Sequence, residues 1–557
     1  MKDAVVNRYI GMYVLASVIL VSLFVSPFNS MDPVSLPKLC LLIVVAFAAA
    51  GLVFSNGGFF TEKGYRTSQV IIGGFILQLI LVFLVDNQTL AFKFYGTSSR
   101  NTGFIAYLSL SFLLVASLAS AGYVLVKRYV WALVGVGSVL SLYGIAQSKG
   151  YDFYEFNNAY GSNVFGSFGN PNFQSAFMGM MGATALTLAF LSSLKLHYKV
   201  ALVALVALAI FNISLSSQQG YLNFVAGFAA AVIVYLFQEK HAILGWVVLG
   251  LFSIGILTVL LGILDKGPLA QAIYKSSLQA RGFYWRGALN MIIDHPFFGV
   301  GMDGFGDWYR RSRSPEVAQL NTGIVADTAH NIPLDIGASG GLPLLILYLA
   351  IAGLALSSII KVVKRKGKFE VYFAAIVAAW VAYQAQSLIS INQLGLGVWG
   401  WSLTGLLIGY EINTRGSVSL ESQKASRKGT AVAAKLSASA LVITFVTSGI
   451  GLAIALPPYL AANKFYRALQ SGDANILQPA AYLKPYDRAR FAYVAQILQE
   501  NKLDSRAIEV LRDATEIYPD SVDLWTSWAG IPSAAPADVA HAKAEMKRLD
   551  PYNPDLK

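Results

Sequence analysis

Apolar stretches of about twenty residues recur along this chain, and they constrain its fold more strongly than any other feature. A helix needs about 20 apolar residues to cross the roughly 30 Å of hydrocarbon in a bilayer. Strands of a membrane barrel would instead alternate in segments of about ten residues, and the sequence shows no such pattern. The chain is also only 13% charged, whereas soluble proteins carry roughly 25% charged residues. The sequence therefore predicts an integral membrane protein made of helices.

About thirteen stretches have the length and apolarity of a membrane-spanning helix. They lie near residues 9–28, 37–55, 68–86, 103–125, 129–147, 173–191, 199–215, 220–237, 242–264, 335–359, 371–390, 394–411 and 432–456. The first stretch has no small-residue cleavage site and many others follow it, so we expect a retained helix and no signal peptide. The predicted fold class is all-α: a polytopic membrane helix bundle with a large extracytoplasmic loop and a small helical-repeat domain at the C-terminus.

Lysine and arginine occur in every second loop between the predicted spans. These basic residues are Lys2 and Arg8, Lys63 and Arg66, Lys127 and Arg128, Lys195 and Lys199, Lys240, the group from Lys361 to Lys368, and the group from Arg415 to Lys435. Short loops rich in lysine and arginine stay in the cytoplasm. We therefore expect a multi-pass protein of the bacterial inner membrane with a cytoplasmic N-terminus and an extracytoplasmic C-terminus. Most of the net charge of +12 serves this orientation, so we expect no nucleic acid partner.

The remaining loops are expected on the outer face of the membrane. They are residues 87–102, 148–172, 216–219, 265–334, 391–393 and the segment after about 457. This division predicts a transmembrane domain at residues 1–457, which includes the large extracytoplasmic loop at 265–334. It also predicts a separate extracytoplasmic helical domain at residues 458–557, called the tail below.

Three prolines divide the tail at nearly equal spacing. Pro485, Pro519 and Pro551 are 34 and 32 residues apart, with helical patterns such as SRAIEVLRDATEIYP between them. A period near 34 residues with helix pairs closed by proline is typical of tetratricopeptide repeats. Two or three repeats are few for independent stability, so we expect the tail to rest on the membrane domain or on a partner protein. A short helical hairpin is the alternative interpretation.

Several arginines lie in the predicted outer loops, against the usual distribution of positive charge. They are Arg100, Arg281, Arg286 and Arg310. A guanidinium binds two phosphate oxygens at once, although an arginine at an interface can also simply extend to lipid headgroups. His330, with Asn331 beside it, borders a predicted span, and a neutral imidazole can accept a proton from an attacking hydroxyl. Together these side chains suit a transferase that binds a lipid-linked phosphate and activates an alcohol, while a structural histidine before a helix is the alternative.

Two pairs of amide side chains lie directly before predicted spans. Asn170 and Asn172 occur in GSFGNPN, and Gln218 and Gln219 occur in SLSSQQG. Asparagine followed by proline at the first helical position is a common helix start. The asparagines therefore either begin a helix or position a substrate, and the glutamines stand in a short loop between two spans.

Nothing in the sequence indicates a metal or a redox cofactor. Cys40 is the only cysteine, so neither a disulfide within the chain nor a cysteine metal site is possible. Asp294, Asp303 and Asp307 are not spaced as a metal site, although the turn HPFFGVGMDGFG is expected to bring the last two close together. The stretch GVGMDGFG lacks the strand and helix of a dinucleotide-binding fold. We therefore expect no cofactor.

The order of these pieces resembles the O-antigen ligase and O-antigen polymerase superfamily of membrane glycosyltransferases. The matching features are RNTG at 100–103, GSFGNPN at 166–172, SSQQG at 216–220, Arg281-x-x-x-Trp285 with HPFFGVG, and His330-Asn331-x-x-Leu334 followed by Gly341. The resemblance covers roughly residues 9–411, and its last two features are the more specific ones. Tails of the tetratricopeptide type occur on a subset of such proteins.

The resemblance implies a bundle of many helices with an outward loop over a cavity that lipids can enter. It implies transfer of a glycan from undecaprenyl diphosphate to an acceptor hydroxyl, without a nucleotide sugar or a metal ion. Carried over by position, Arg281 binds the diphosphate, and His330 acts as a base or orients the acceptor. Asn170 and Asn172 match the asparagine motif of the family, with a structural or substrate-positioning role.

Two positions depart from the family pattern. Many members have Ser-Arg where this chain has Gln218-Gln219, so the resemblance implies that one phosphate-binding arginine is missing. The candidates to supply its charge are Arg286, Arg100 and Arg310. Leu344 stands three residues after Gly341, where ligases tend to have a small residue, and this argues against a strict ligase subtype.

Within this superfamily, ligases and polymerases differ in their acceptor. A ligase joins the finished glycan to a lipid, protein or wall acceptor and a polymerase adds repeat units; a tail that can dock a protein partner favours a ligase. A flippase of lipid-linked sugars should carry ionisable residues deep in several spans and internal repeats, whereas here the polar groups gather at the outer face. A scaffold that recruits other proteins is a third class. Neither of these rivals explains the order of Arg281, His330 and Asn331 on one loop.

Overall fold

The computed structural model describes most of the chain. The described residues are 2–26, 28, 31–152, 161, 163–263, 266–268, 270–273, 276–320, 325–365, 369–415 and 436–556. The structure is 79% helix, and no strand occurs within these ranges. The all-α prediction is therefore confirmed.

The thirteen predicted spans each correspond to one helix of the structure, although residues 27, 264 and 432–435 of these spans lie outside the described residues. In chain order, the helices are α1 (Lys2–Leu23), α2 (Ser35–Phe54), α3 (Gly57–Thr61), α4 (Arg66–Val85), α5 (Leu90–Tyr95), α6 (Phe104–Ser120), α7 (Tyr123–Ser148), α8 (Pro171–Leu191), α9 (Leu196–Ser216), α10 (Gln219–Gln238), α11 (Ala242–Ile263), α12 (Ala270–Ile273), α13 (Ser276–Asp294), α14 (Phe305–Ser312), α15 (Pro315–Leu320), α16 (Ile332–Val363), α17 (Val371–Ser387), α18 (Leu394–Asn413), α19 (Ala438–Gln470), α20 (Ala474–Ala481), α21 (Arg488–Glu500), α22 (Asp504–Ile517), α23 (Val522–Ala529) and α24 (Pro536–Leu549). Single turns of 3-10 helix lie at Lys63–Tyr65, Gly166–Phe168 and Pro554–Leu556.

Ten helices of the described ranges are long and apolar enough to cross a membrane. They are α1, α2, α4, α7, α8, α9, α10, α11, α16 and α19. The other three predicted spans correspond to α6, α17 and α18, which are shorter or richer in glycine. The structure is therefore that of a multi-pass membrane protein, and the count of thirteen spans stays a prediction.

Helix α18 packs closely against α6 through glycines. A Cβ at Gly405 would lie 2.2 Å from the carbonyl oxygen of Leu114, and one at Gly409 would lie 2.1 Å from that of Leu118. Small residues four positions apart allow two membrane helices to bring their backbones together. Most residues of both helices are buried inside the bundle. The glycines of α18 therefore reflect its contact with another helix, whereas α6 is strongly apolar and is simply short, with 17 residues.

The loops with the predicted cytoplasmic charges meet at one end of the bundle, which we call the basic end. The Asn413 side chain after α18 donates a hydrogen bond of 2.7 Å to the carbonyl of Ala121, between α6 and α7. Arg365, after α16, donates one of 2.6 Å to the Thr414 hydroxyl. Three loops that the alternation of basic residues assigns to the same side are therefore in contact.

The predicted outer loops meet at the other end, which we call the site end. Gln219 at the start of α10 donates a hydrogen bond of 2.7 Å to the carbonyl of Asn172 at the start of α8. Asn331 before α16 donates one of 3.0 Å to the carbonyl of Leu388 after α17. The alternation of loops in the sequence thus corresponds to two distinct ends of the bundle.

The paired helices of the tail form a second hydrophobic core, to which Phe92 of α5 also belongs. Helix α21 packs against α22, and α23 packs against α24. Pro485, Pro519 and Pro551 lie in the connections before, between and after these pairs. The predicted helix pairs are present, and their assignment to tetratricopeptide repeats stays a prediction.

Helix α19 crosses the border that the sequence places between residues 457 and 458. It continues through Pro457 and Pro458 as far as Gln470. The reason lies in its last turns, because Phe465 and Ala468 are buried in the core of the tail. The last turns of this candidate membrane helix therefore belong to the tail by packing.

Ion pairs fix the tail to the large loop. The pairs are Arg310–Asp523, Arg311–Asp520, Arg313–Asp550 and Arg488–Asp307, in which the first three arginines and Asp307 belong to the loop. Arg313 and Asp550 are fully buried, and one guanidinium nitrogen lies 2.8 Å from each carboxylate oxygen. These ion pairs join the tail to the large loop of the membrane domain.

Candidate active site

Helix α16 is broken where it meets the loop that follows α13. Gly341 has a φ of 75°, so the residues before and after it form two helical halves. This position requires glycine, because a Cβ would also lie 2.7 Å from the carbonyl oxygen of Pro296. The break leaves backbone groups without helical partners, and the loop supplies them: Leu342 donates to Pro296 at 2.7 Å, and Val300 donates to Ala338 at 2.9 Å. The motif HPFFGVG is therefore an anchor for the large loop.

The anchored loop carries α13 across the start of α16. The Tyr284 ring on α13 lies 5.5 Å from the His330 ring and 5.5 Å from the Tyr309 ring. Ala288 and Met291 of the same helix are fully buried in a small core beneath the loop. Helix α13 thus packs with its buried face on this core and lies beside the start of α16. It covers the N-terminus of α16.

His330 is held in a turn just before α16. Its φ is 50°, a left-handed conformation that is uncommon outside glycine. Its Nδ1 lies 3.1 Å from the Thr328 hydroxyl, and the N–H of Ala329 donates a hydrogen bond of 3.1 Å to the Asp335 carboxylate. These contacts fix the imidazole beneath the Tyr284 ring.

The charge state of His330 follows from its surroundings. Burial, followed by the positive charge of Arg281 and a smaller effect of Arg100, lowers the pKa of His330 to about 4. The imidazole is therefore uncharged at neutral pH and can accept a proton. Arg281 lies about one helical turn before Tyr284, whose ring lies 5.5 Å from that of His330.

Arg281 is the cation of this site that has no carboxylate partner among the described residues. Burial lowers the pKa of Arg281, yet a guanidinium stays protonated in proteins. A buried charge without a partner is unfavourable, so an anion that enters the site gains a strong interaction with Arg281. This is the electrostatic property that a phosphate-binding residue needs.

Arg100 reaches the same region from the loop after α4, but its charge is compensated. It donates a hydrogen bond of 2.8 Å to the Asp327 carbonyl, and its guanidinium lies 3.2 Å from the Asp327 carboxylate and 3.9 Å from that of Asp303. Asp303 also accepts hydrogen bonds from the Thr97 N–H at 2.6 Å and the Thr102 hydroxyl at 3.0 Å. Arg100 and Asp303 therefore join the turn 96–102 to the large loop.

The two other predicted arginines lie apart from His330 in their contacts. Arg286 is exposed on α13, and a helix with 3.6 residues per turn places it roughly 140° around the axis from Arg281. Arg310 lies 3.1 Å from Asp523 and 3.9 Å from Asp550 of the tail. The structure thus brings Arg281 and Arg100 to His330 and directs Arg310 to the tail.

Asn331 has both ends of its amide engaged by the protein. Its oxygen accepts a hydrogen bond of 3.0 Å from the Leu334 N–H and caps α16, while its nitrogen donates to the Leu388 carbonyl. Such a cap satisfies backbone donors that the first helical turn leaves free. Asn331 therefore fixes the position of the turn that carries His330.

The asparagine and glutamine motifs are in direct contact with each other. Asn170 caps α8 by accepting a hydrogen bond of 2.8 Å from the Asn172 N–H, and Pro171 occupies the first turn. The amide nitrogen of Gln219 donates to the carbonyl of Asn172, and its buried oxygen has no hydrogen-bond partner. Gln218 is exposed before α10. These contacts join the starts of α8 and α10 at the site end.

Several residues near His330 were not predicted from the sequence. Tyr284, Thr328 and Asp335 surround its turn, as described above. The sequence contains weak indications of two of them. Tyr284 lies three residues after Arg281 on one helical face, and Asp335 lies in the first turn of α16. Asp303 and Asp307, which the sequence places close together, have separate partners, because Asp307 pairs with Arg488 of the tail.

A buried pair of amides extends the polar surface one turn into the bundle. Asn223, one turn after Gln219 on α10, donates a hydrogen bond of 3.2 Å to the Gln386 oxygen in the last turn of α17. Hydropathy does not reveal single amides in apolar helices.

The described residues contain no cluster of three histidine, cysteine or acidic side chains that suits a metal ion. The thiol of Cys40 donates a hydrogen bond to the Ala455 carbonyl.

These features define a class of protein: an all-helical, multi-pass membrane protein whose site combines an unpaired guanidinium with a neutral imidazole. Residues 201–349 match the family described as O-Antigen ligase. The matched segment begins in α9, contains Arg281 and His330, and ends in α16. The match supports the O-antigen ligase superfamily and a membrane glycosyltransferase of ligase or polymerase type. No curated protein matches the chain.

Proposed function

We propose that this protein transfers a glycan from undecaprenyl diphosphate to an acceptor hydroxyl at the extracytoplasmic face of the bacterial inner membrane. The observation that carries the proposal is the combination, at the start of α16, of Arg281, a half-buried cation without a carboxylate partner among the described residues, and His330, a neutral imidazole. An anionic leaving group and an attacking hydroxyl need these two properties within one site.

Arg281 is assigned to the diphosphate of the donor. Its guanidinium can form two parallel hydrogen bonds to phosphate oxygens, and burial strengthens each of them. A diphosphate is already a good leaving group, so the protein mainly has to position it and to stabilise the charge that develops on it. Arg100 contributes positive potential, although Asp327 and Asp303 partly balance its charge. Arg286 is proposed to contact the donor from the exposed face of α13.

His330 is assigned as the base, or as the group that orients the acceptor. The acceptor oxygen attacks the anomeric carbon, its proton passes to the imidazole, and the bond between that carbon and the diphosphate breaks with both electrons leaving on the phosphate oxygen. The pKa of about 4 in the free site suits a resting, neutral base. The negative charge of a bound diphosphate opposes the effect of Arg281, so the imidazole becomes more basic when the donor is present.

The amide residues are assigned as positioning residues. Asn331 holds the turn of His330, and the contact between Gln219 and Asn172 holds the starts of α8 and α10 together. Asn170 acts through its cap of α8, and Gln218 is free to meet a substrate from its exposed position. Their loss is expected to weaken transfer less than the loss of Arg281 or His330.

The proposed orientation places the site end on the extracytoplasmic side of the membrane. The loops that lie outside the alternating series of short basic loops meet there, whereas the short loops rich in lysine and arginine meet at the basic end. A glycan on undecaprenyl diphosphate and a lipid, protein or wall acceptor would then reach the site from the outer leaflet. The tail faces the same side and is available to a protein partner.

The lipid-linked glycans of cells without this protein provide the test. Long lipid-linked chains should accumulate if the protein is a ligase, which we favour, and single repeat units should accumulate if it is a polymerase. Expression of His330→Ala or Arg281→Gln should fail to restore the normal profile, whereas Arg512→Gln, a matched change on the exposed tail, should restore it. An unchanged profile in the deletion strain would refute both activities and favour a scaffold.

A further inference from the structure

A groove of about 300 Å³ lies where α19 leaves the apolar part of its sequence and meets the tail. We call it the α19 groove. Its lining residues are Ala453, Leu456, Pro457, Leu460, Ala461, Lys464, Leu483 and Lys484. Six of these residues are apolar, two are lysines, and none is acidic. The α19 groove therefore combines an apolar surface with two positive charges.

The length of α19 places this groove at a membrane surface. The helix begins at Ala438, and Lys464 lies about 39 Å farther along its axis, at about 1.5 Å per residue. The hydrocarbon of a bilayer is roughly 30 Å thick. Lys464 therefore lies beyond the hydrocarbon, at the level of the lipid headgroups on the side of the site end. Leu456 and Leu460 lie at the border of the hydrocarbon.

The face of α19 that leads into the groove is exposed and apolar. Leu452, Leu456 and Leu460 follow each other at intervals of four residues, and they are 51%, 42% and 44% exposed. Residues four positions apart lie on one face of a helix, so these leucines lead directly to Lys464. Lipid tails are as apolar as leucine side chains. The face thus changes from apolar to cationic in the order in which a phospholipid changes from acyl chain to headgroup.

The two lysines of the groove belong to different parts of the chain. Lys464 is on α19 and Lys484 is in the connection between α20 and α21, and both residues are exposed. Neither forms an ion pair with a carboxylate of the described residues, although the Nζ atom of Lys484 lies 5.7 Å from the centre of the Tyr486 ring. A lysine ammonium binds phosphate as a compact charge. Both cations are therefore available to a phosphate group.

We propose that the α19 groove binds an anionic phospholipid of the leaflet at the site end. One acyl chain lies along Leu456 and Leu460, and the headgroup phosphate contacts Lys464 and Lys484. An anionic lipid is favoured over a zwitterionic one, because the lining offers two cations and no carboxylate. This inference does not depend on the transfer of a glycan.

A lipid in this groove contacts the tail next to its ion pair with the large loop. Lys484 lies four residues before Arg488, which pairs with Asp307 of the large loop. The lipid bridges α19 and the connection that leads to this ion pair. It therefore helps to hold the tail against the membrane surface beside the candidate site.

Photocrosslinking of the full-length protein in lipid nanodiscs tests the proposal. The nanodiscs contain equal amounts of phosphatidylglycerol and phosphatidylcholine, and p-benzoylphenylalanine replaces Leu452, which precedes the groove on the same face and does not fill it. Mass spectrometry after irradiation gives the ratio of the two lipid adducts. We expect phosphatidylglycerol to be enriched by about fivefold per lysine, because a lysine near an anionic membrane surface contributes about 1 kcal/mol. The same replacement of Phe211, which is 48% exposed near the site end of α9, should give no enrichment.

Lysine variants test the headgroup contact. Lys464→Gln with Lys484→Gln should lower the enrichment at the α19 position to the value at the α9 position. Lys502→Gln with Lys543→Gln, a matched change at exposed positions of the tail, should leave it unchanged. Equal adduct ratios at the α19 and α9 positions of the natural sequence would overturn the proposal, and so would enrichment that persists without the two groove lysines. Crosslinking requires no transfer, so enrichment in a protein that proves to have no transferase activity would refute the proposed function and leave the lipid site standing.

Discussion

The ion pair between Arg313 and Asp550 is the most buried contact between the tail and the large loop. One guanidinium nitrogen lies 2.8 Å from both carboxylate oxygens, and neither side chain is exposed. Asp550→Asn removes the negative charge with little change of shape, so the guanidinium stays buried without its main counter-charge. Breaking a buried pair in this way costs about 3–5 kcal/mol. Because 1.4 kcal/mol is a factor of ten, undocking of the tail should become roughly 10² to 4 × 10³ times more frequent.

Hydrogen–deuterium exchange of α14 measures this undocking, because α14 carries the ion pairs and lies under the tail. In Asp550→Asn its amides should exchange much faster than in the natural protein. Asp555→Asn, a matched change at an exposed position of the same terminus, should leave the exchange unchanged. Thermal unfolding of the membrane domain should change little, since its core does not contain this pair.

A double variant distinguishes two effects of Asp550→Asn: the buried Arg313 charge that lacks its counter-charge, and the loss of the contact itself. Replacing both partners of a buried pair with apolar residues is often neutral or stabilising, so Arg313→Met with Asp550→Leu should restore slow exchange. Slow exchange in Asp550→Asn would refute the view that this pair holds the tail. Exchange in the double variant as fast as in Asp550→Asn would show that the uncompensated charge is not the cause.

Three further predictions concern the candidate site. Arg281→Gln should lower the rate of transfer about 10²–10³-fold without lowering the unfolding temperature, and transfer within twofold of normal would contradict the assignment. An NMR titration of labelled histidine should show His330 neutral down to about pH 4, and Arg281→Gln should move its midpoint upward because a cation that disfavours protonation is removed; a midpoint near 6.5 in the natural protein would contradict the site as described. Gly341→Ala should lower stability by about 1–3 kcal/mol and abolish transfer, whereas Gly353→Ala, where a Cβ meets open space, should do neither; equal effects in a thermal-unfolding assay would count against the broken helix.

The positions of the membrane helices follow from local sequence. Hydrophobic length is a property of each segment by itself, so all thirteen predicted spans correspond to helices. The segments at 371–390 and 394–411 were predicted with the others, and the glycines of the second segment reflect packing against neighbouring helices. Helix α19 shows the opposite case, because Phe465 continues the helix beyond its apolar stretch through contacts with the tail. Contacts of this kind come from distant parts of the chain and leave little local trace.

Part of the candidate site was also open to prediction. The residue types and order of Arg281 and His330 indicated a phosphate-binding cation and a base, because those chemical properties belong to the side chains themselves. The sequence alone did not predict which of the remaining arginines form ion pairs with carboxylates. Arg310 meets Asp523 and Arg100 meets Asp327, and each partner lies more than two hundred positions away in the sequence.

By itself, the sequence determined the helical class, the places of the membrane helices and the division of the loops between two ends, since hydropathy and charge act residue by residue. Only the tertiary structure decided which charges stay unpaired. The break at Gly341, which the motif HPFFGVG fills, sets α13 over His330 and leaves Arg281 half-buried, without a carboxylate partner among the described residues. The burial and ion pairing of these side chains depend on contacts with distant parts of the chain, which the local sequence does not specify.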